Sequence, residues 1–300
     1  MMRRLLLLIK GFLNILSLQN KYKEFEKLIV VLHPGLGDIC VACAHIKKFV
    51  ENTNYLIICN SRYCDVVKQF GVDNVIGIPG SSCQEMAETY SSDIFRYLVS
   101  KKLSTNTVLV DPIHYITAQS LVFREITALS VTKKAIYRLP DNTETAYPEI
   151  NINGSIANTN NQKYVIINPY SNSMYCDISF FEKVAEYCIN IGYTVYCNLA
   201  PGQMPIRNSR PLLCSIEELY SWLLKAEFIV SMRSGILDYL IKGIKKAFVI
   251  YDDEKFYNFC KLSAWETKGK IEEVIYDKNT TITQVFEWVD NVVHEREEND

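Results

Sequence analysis

Residues 28–50 read LIVVLHPGLGDICVACAHIKKFV, and the order of their parts decides the fold. Leu28–His33 is a short, apolar, β-branched run, the pattern of a strand buried on both faces. His33-Pro34-Gly35-Leu36-Gly37-Asp38 is turn chemistry. From Asp38 to Val50, Ile39, Ala42, Cys43, Ile46, Phe49 and Val50 recur at helical spacing. A buried strand, a glycine loop and a helix make the first half of a βαβ unit, and such units build parallel sheets covered by helices on both faces.

The same alternation continues outward. Tyr55–Asn60, Asn74–Pro79 and the run TVLVD ending at Asp111 read as strands. Ser61–Phe70, a long stretch within Cys83–Leu103, and Tyr115–Leu129 read as helices. The pattern then lapses in LPDNTETAYPEININGSIANTNNQ, residues 139–162, which is rich in Asn, Thr and Pro. It restarts with strands at Tyr164–Asn168, 193–198, Phe228–Ser231 and Lys246–Tyr251. Helices are expected at Asp177–Ile191, Ile216–Leu224, Ser234–Lys242 and Thr281–His294. The expected fold class is therefore α/β: two doubly wound, Rossmann-like parallel-sheet domains facing a central cleft. Residues 25–140 form the first domain, 141–162 a linker and 163–300 the second, preceded by a basic, apolar helix over 1–24.

Composition narrows the function classes. At 300 residues, 48% hydrophobic and 22% charged, with a formal net charge of −2, the chain is neither disordered nor broadly basic. Nucleic acid is therefore not an expected partner. Most of the ten cysteines lie in apolar runs such as YLIICN and YTVYCN, which reads as reduced thiols in a cytosolic protein. Cys40-x-x-Cys43 has no second CxxC and no His pair to complete a zinc site, so no metal is expected. The first 23 residues carry Arg3, Arg4, Lys10, Lys21 and Lys23 and no acid. Lys10 interrupts the apolar run well short of the roughly 20 residues a span needs. Two readings stay open for this segment: a helix packed on the body of the protein, or a basic amphipathic helix on the anionic inner face of a membrane.

Three loops carry chemistry. In the first, Gly35 and Gly37 allow the backbone to turn and to approach a ligand, while Asp38 at the helix start reads either as an N-cap or as a general base. A dinucleotide site needs a third Gly where Cys40 stands and an acid where Asn60 stands. In the second, Asn168, Ser171 and Ser173 offer neutral polar groups before a helix that Asp177 can cap. In the third, Arg233-Ser234-Gly235 follows a buried strand directly. An arginine fork beside a helix start suits a diphosphate, and Asp238, one turn on, either orients Arg233 or accepts from a sugar hydroxyl. The other reading of Arg233 and Asp238 is a buried pair that only braces the loop.

In this order the loops resemble the GT-B glycosyltransferases, and among them the heptosyltransferase-like family of lipopolysaccharide and capsule synthesis. Gly35-Leu36-Gly37-Asp38 is similar to that family's opening loop, which implies that Asp38 activates the acceptor hydroxyl. Asn168-Pro169 is similar to the start of its second domain. Arg233-Ser234-Gly235 stands where the family has Asp-Ser-Gly, with Asp238 where it has a histidine. The family's lysine in the second loop has no counterpart between Asn168 and Asp177. The resemblance implies a nucleotide-sugar donor, a saccharide or lipid-linked acceptor and no cofactor. No Asp-x-Asp occurs in the chain, so transfer is expected to be metal-independent, with Arg233 supporting the leaving diphosphate. The rival reading is a non-catalytic scaffold that binds a glycan or a partner.

Overall fold

The computed structural model describes residues 2–113, 127–150 and 163–297. The chain divides into two units, Met1–Glu149 and Ile150–Asp300.

The first unit opens with α1 (Met2–Lys21), followed by β1 (Lys27–Val31), α2 (Leu36–Cys43), α3 (Ile46–Phe49) and β2 (Tyr55–Asn60). Next come α4 (Cys64–Lys68), β3 (Val75–Ile78), α5 (Gly80–Ser91), α6 (Asp93–Lys102), β4 (Thr107–Val110) and the short α7 (Ala128–Val131). The sheet is all parallel in the order β3-β2-β1-β4. Leu28, Ile29, Val30 and Val31 are all buried, as a central strand with helices on both faces requires. Ile15 of α1 packs with Leu28, Val30, Ile58 and Met86 in one apolar cluster, so the basic helix belongs to the core through one face.

Two expected helices are each broken in two. The stretch 38–50 breaks at His45, whose buried ring bonds the carbonyl of Glu144 through Nδ1 (3.3 Å) instead of following the helix surface. The stretch 83–103 breaks at Ser92, which is extended and receives the Arg96 N–H on its carbonyl at 2.8 Å. Serine before aspartate favours such a restart. The expected helix over 115–129 lies largely outside the described residues. Residues 141–149, read from sequence as linker, lie on the first unit. The Ala146 N–H donates to Ala44 O (2.7 Å) and the Glu149 N–H to Gln69 O (2.7 Å). The rest of that linker, 151–162, lies outside the described residues.

The second unit contains β5 (Tyr164–Asn168), α8 (Ile178–Asn190), β6 (Thr194–Asn198), β7 (Arg210–Leu212), α9 (Ile216–Leu223) and β8 (Ile229–Met232). It continues with α10 (Gly235–Leu240), β9 (Lys246–Tyr251), α11 (Glu254–Phe259), β10 (Lys270–Ile275) and α12 (Thr281–Glu297). Its sheet is also all parallel, ordered β10-β9-β8-β5-β6-β7. Both sheets bring the ends of β1, β4, β5 and β8 to the carboxyl side of a parallel sheet, where ligands of such folds bind.

All ten cysteines carry free thiols. Among the described residues no group of three or more His, Cys, Asp or Glu is arranged to hold a metal ion, and no helix is long and apolar enough to cross a membrane.

Candidate functional site

In the first unit the candidate residues sit where β1 and β4 end. Gly35 is the N-cap of α2 in an extended conformation, without a capping side chain, and Asp38 falls inside the first helical turn. Asp38 is therefore not the cap. Its carboxylate folds back over Gly35, and a Cβ on Gly35 would lie 2.6 Å from Asp38 Oδ2. A side chain at position 35 would push this carboxylate aside, and no unusual backbone angle calls for glycine there. Neither Gly35, Gly37 nor Gly235 is among the glycines with positive φ. A carboxylate in the first turn of a helix is favoured by the positive end of the helix dipole.

Beside it stands a pair that the sequence reading passed over. His33 Nε2 lies 3.0 Å from Asp111 Oδ1, and the Asp111 side chain is fully buried. Burial alone would lower the His33 pKa. The Asp111 hydrogen bond and the charges of Asp38 and Asp111 outweigh it, so the net direction is up. The signal was present in the sequence, as polar His33 and Asp111 each close a buried apolar run. Their pairing depends on β1 and β4 being neighbours, which the run of letters does not state. The loop is pinned from the other side by Asn60, whose Nδ2 donates to Pro34 O at 2.9 Å.

In the second unit a buried polar row crosses three strand ends. Asn198 Nδ2 donates to Asn168 Oδ1 (3.0 Å), and Asn168 Nδ2 donates to Ser231 Oγ (2.8 Å) and Ser234 Oγ (3.3 Å). Asn168 thus connects β6, β5 and β8 and fixes Ser234, the N-cap of α10. It is a positioning residue, too buried to meet a ligand broadly. Ser171 and Ser173 lie further along the β5 loop, where Ser171 Oγ accepts the Ser173 N–H at 3.4 Å. Ser173 is exposed and Ser171 half-buried. The Tyr175 N–H donates to Asp252 Oδ2 (3.2 Å), which fastens this loop to the end of β9. The other oxygen of Asp252 is buried with no hydrogen-bond partner among the described residues. Asp177 caps α8 and Asp253 caps α11, as their positions imply.

Arg233 and Asp238, expected from the sequence either as donor contacts or as a bracing pair, are paired with one another in the structure. Arg233 is 5% exposed and Asp238 1%. The guanidinium turns inward. Its NH2 meets Asp238 Oδ1 at 2.6 Å, its Nε donates to Cys260 O at 2.7 Å and its NH1 to Ser234 O at 2.6 Å. Trp265 Nε1 donates to the same Asp238 oxygen at 2.7 Å. Burial pushes the Asp238 carboxyl up, and the arginine charge and the two donors oppose it. With all three guanidinium nitrogens bonded inside the unit, the fork braces the loop. What this loop presents is Ser234, Gly235 and Ile236, all half-buried.

The two all-parallel sheets, each flanked by helices, give the chain an α/β fold. No protein-family model matches the sequence, and no curated protein matches it. Solved structures do. The ADP-heptose lipopolysaccharide heptosyltransferase II of E. coli aligns with a TM-score of 0.58 at 9% identity, covering 90% of this chain and 99% of that one. The glycosyl transferase family 9 protein of Veillonella parvula gives 0.56 at 12% identity, covering 90% and 97%. An E. coli heptosyltransferase solved with ADP gives 0.55 at 10% identity, covering 89% and 99%. At these identities the likeness is one of fold: the chain is built as the heptosyltransferases are.

Proposed function

We propose that this chain is a glycosyltransferase that moves a sugar from a nucleoside-diphosphate sugar to a hydroxyl of a saccharide or lipid-linked acceptor in surface polysaccharide synthesis. The observation that carries the reading is Asp38. It is a carboxylate held over a glycine at a helix start, beside His33 and Asp111, in a chain that shares its fold with a heptosyltransferase over 90% of its length. Asp38 takes the proton as the acceptor oxygen attacks the anomeric carbon. The bond from that carbon to the diphosphate oxygen breaks, and its electron pair leaves with the nucleoside diphosphate. His33, held by Asp111, places a cation-capable ring near Asp38.

In the second unit the Ser234 hydroxyl and the loop amides at Gly235 support the donor, with Ser171 and Ser173 on the neighbouring loop. Arg233 acts only by shaping this loop. Transfer is metal-independent and needs no cofactor, and the enzyme works in the cytoplasm at the inner face of the membrane.

Two measurements test this. A panel of nucleoside diphosphates is screened by thermal melting, where a ligand at 100 times its dissociation constant adds about 2.7 kcal/mol. Asp38→Asn is then assayed with the donor so identified. We expect turnover to fall by about 10²–10⁴-fold with donor binding retained, the effect of losing a positioned base. Near-normal turnover in Asp38→Asn removes Asp38 from catalysis. The internal pairing of Arg233 favours one rival, a scaffold that binds without transfer, and ligand binding with no turnover in the unaltered chain would select it.

A further inference from the structure

The first helix has two apolar faces, and among the described residues only one is packed. Gly11 and Ile15 pack inward. Gly11 lies so close to α5 that a Cβ would come within 2.2 Å of Thr89 Oγ1 and 2.3 Å of the Glu85 carbonyl oxygen. Thr89 Oγ1 donates to Leu8 O at 2.9 Å, and Lys10 Nζ pairs with Glu85 at 2.5 Å. The opposite face carries Met2, Leu5, Leu6, Ile9 and Leu13, spaced to fall on one side at 3.6 residues per turn. They are between 39% and 77% exposed. Next to α1 runs α6, joined to it by the Phe12–Phe95 edge contact (6.1 Å) and by Gln19 Nε2 donating to Lys102 O. It adds Ile94, Tyr97 and Leu98, between 41% and 72% exposed.

We propose that this two-helix face is a preformed docking surface for an anionic lipid bilayer. Soluble chains rarely leave so many large apolar side chains exposed on two neighbouring helices. The charges select the occupant. The helix α1 contains Arg3, Arg4, Lys10 and Lys21 and no acid; Arg3 borders the strip, and Lys10 beside it is already paired with Glu85 of α5. On α6 the acid, Asp93, is paired with Arg96, while Lys101 and Lys102 close the last turn. A second copy of this chain would set these cations against each other. A bilayer of anionic lipid offers apolar depth to the strip and negative charge to its border at once. Because α1 is already folded against α5, docking requires no coil-to-helix transition. The proposal deepens the preceding reading, in which a lipid-linked acceptor would be met at such a surface, but its test contains no sugar.

The full chain is mixed with vesicles of phosphatidylcholine alone, or with roughly one-third phosphatidylglycerol, and separated by flotation. The unaltered chain is expected to float with the anionic vesicles and to stay behind with the neutral ones. L6Q/I9Q and, separately, I94Q/Y97Q should each weaken flotation by about tenfold or more with unchanged melting, because every altered side chain is exposed. A chain that ignores anionic vesicles at low salt overturns the proposal. So does equal flotation of the unaltered chain and both double variants. Self-association abolished by L6Q/I9Q, without vesicle binding, would assign the face to a second copy instead. Flotation in a protein with no transferase activity would leave this inference standing while the catalytic reading falls.

Discussion

Arg233 shows how much a single side chain's direction matters. Its neighbours Ser234 and Gly235, and the acid five residues on, are visible in the sequence. Whether the fork points at a ligand or into the unit is decided by Cys260 O and Trp265, far along the chain. The expectation for mutation changes accordingly. Arg233→Ala should destabilise the second unit by about 3–5 kcal/mol, because it strands the Asp238 carboxylate in the core. Replacing both partners by apolar residues, as in Arg233→Met with Asp238→Leu, should recover most of that loss in denaturant unfolding. If Arg233→Ala melts normally but loses nucleotide affinity, the side chain is a donor contact after all.

His33 offers a second residue-scale test. Its folded pKa is raised against an ordinary value of about 6.5. The proton-linked stability it contributes is therefore complete below about 6.5 and is lost as pH rises through the higher folded value. Melting followed across that window should show a fall in the unaltered chain that is absent in His33→Gln. Parallel curves for the two proteins would separate His33 from any charged pairing with Asp111.

At the scale of elements, the buried strands were the most legible part of the chain, because uninterrupted Val, Ile and Leu runs have few other uses. The strands left unread are the two edges of the second sheet. Arg210–Leu212 is three residues long with a proline at its centre, and Lys270–Ile275 mixes charges with apolar residues because one side of it lacks a neighbouring strand. The candidate residues followed the same rule. The loops announced themselves by glycine, serine and asparagine, whereas the His33–Asp111 pair and the Asn198–Asn168–Ser231 row depend on strand order. The two readings of the amino-terminal helix, packed or amphipathic toward a membrane, were framed as alternatives, yet one face of it is packed and the other exposed. The contact at Gly11 makes the packed half testable. Gly11→Val leaves no room beside the Glu85 carbonyl, so α1 should lift from α5, and proteolysis between 21 and 27 should accelerate. Unchanged cleavage would mean that α5 yields instead.

For the molecule as a whole, the stretch 139–162 divides into two parts that should behave differently. Residues 141–149 are tied to the first unit by main-chain hydrogen bonds at Ala146 and Glu149, while 151–162 keep their Asn-rich composition. Limited proteolysis of the full chain should cut first within 150–163 and release two fragments near the ends of the two units. A first cut inside 30–110 would contradict this division.

The strand order also sets a timetable for synthesis. In each sheet the strand made first, β1 or β5, ends in the interior, and its second neighbour is made much later. β1 waits until Thr107–Val110 has left the ribosome before both of its edges are paired, and β5 waits until Ile229–Met232. At about 5–20 residues per second, the first strand therefore spends several seconds with an open, apolar edge in a crowded cell. A nascent chain halted just after α6 should recruit holdase chaperones, and one halted past residue 149 should shed them.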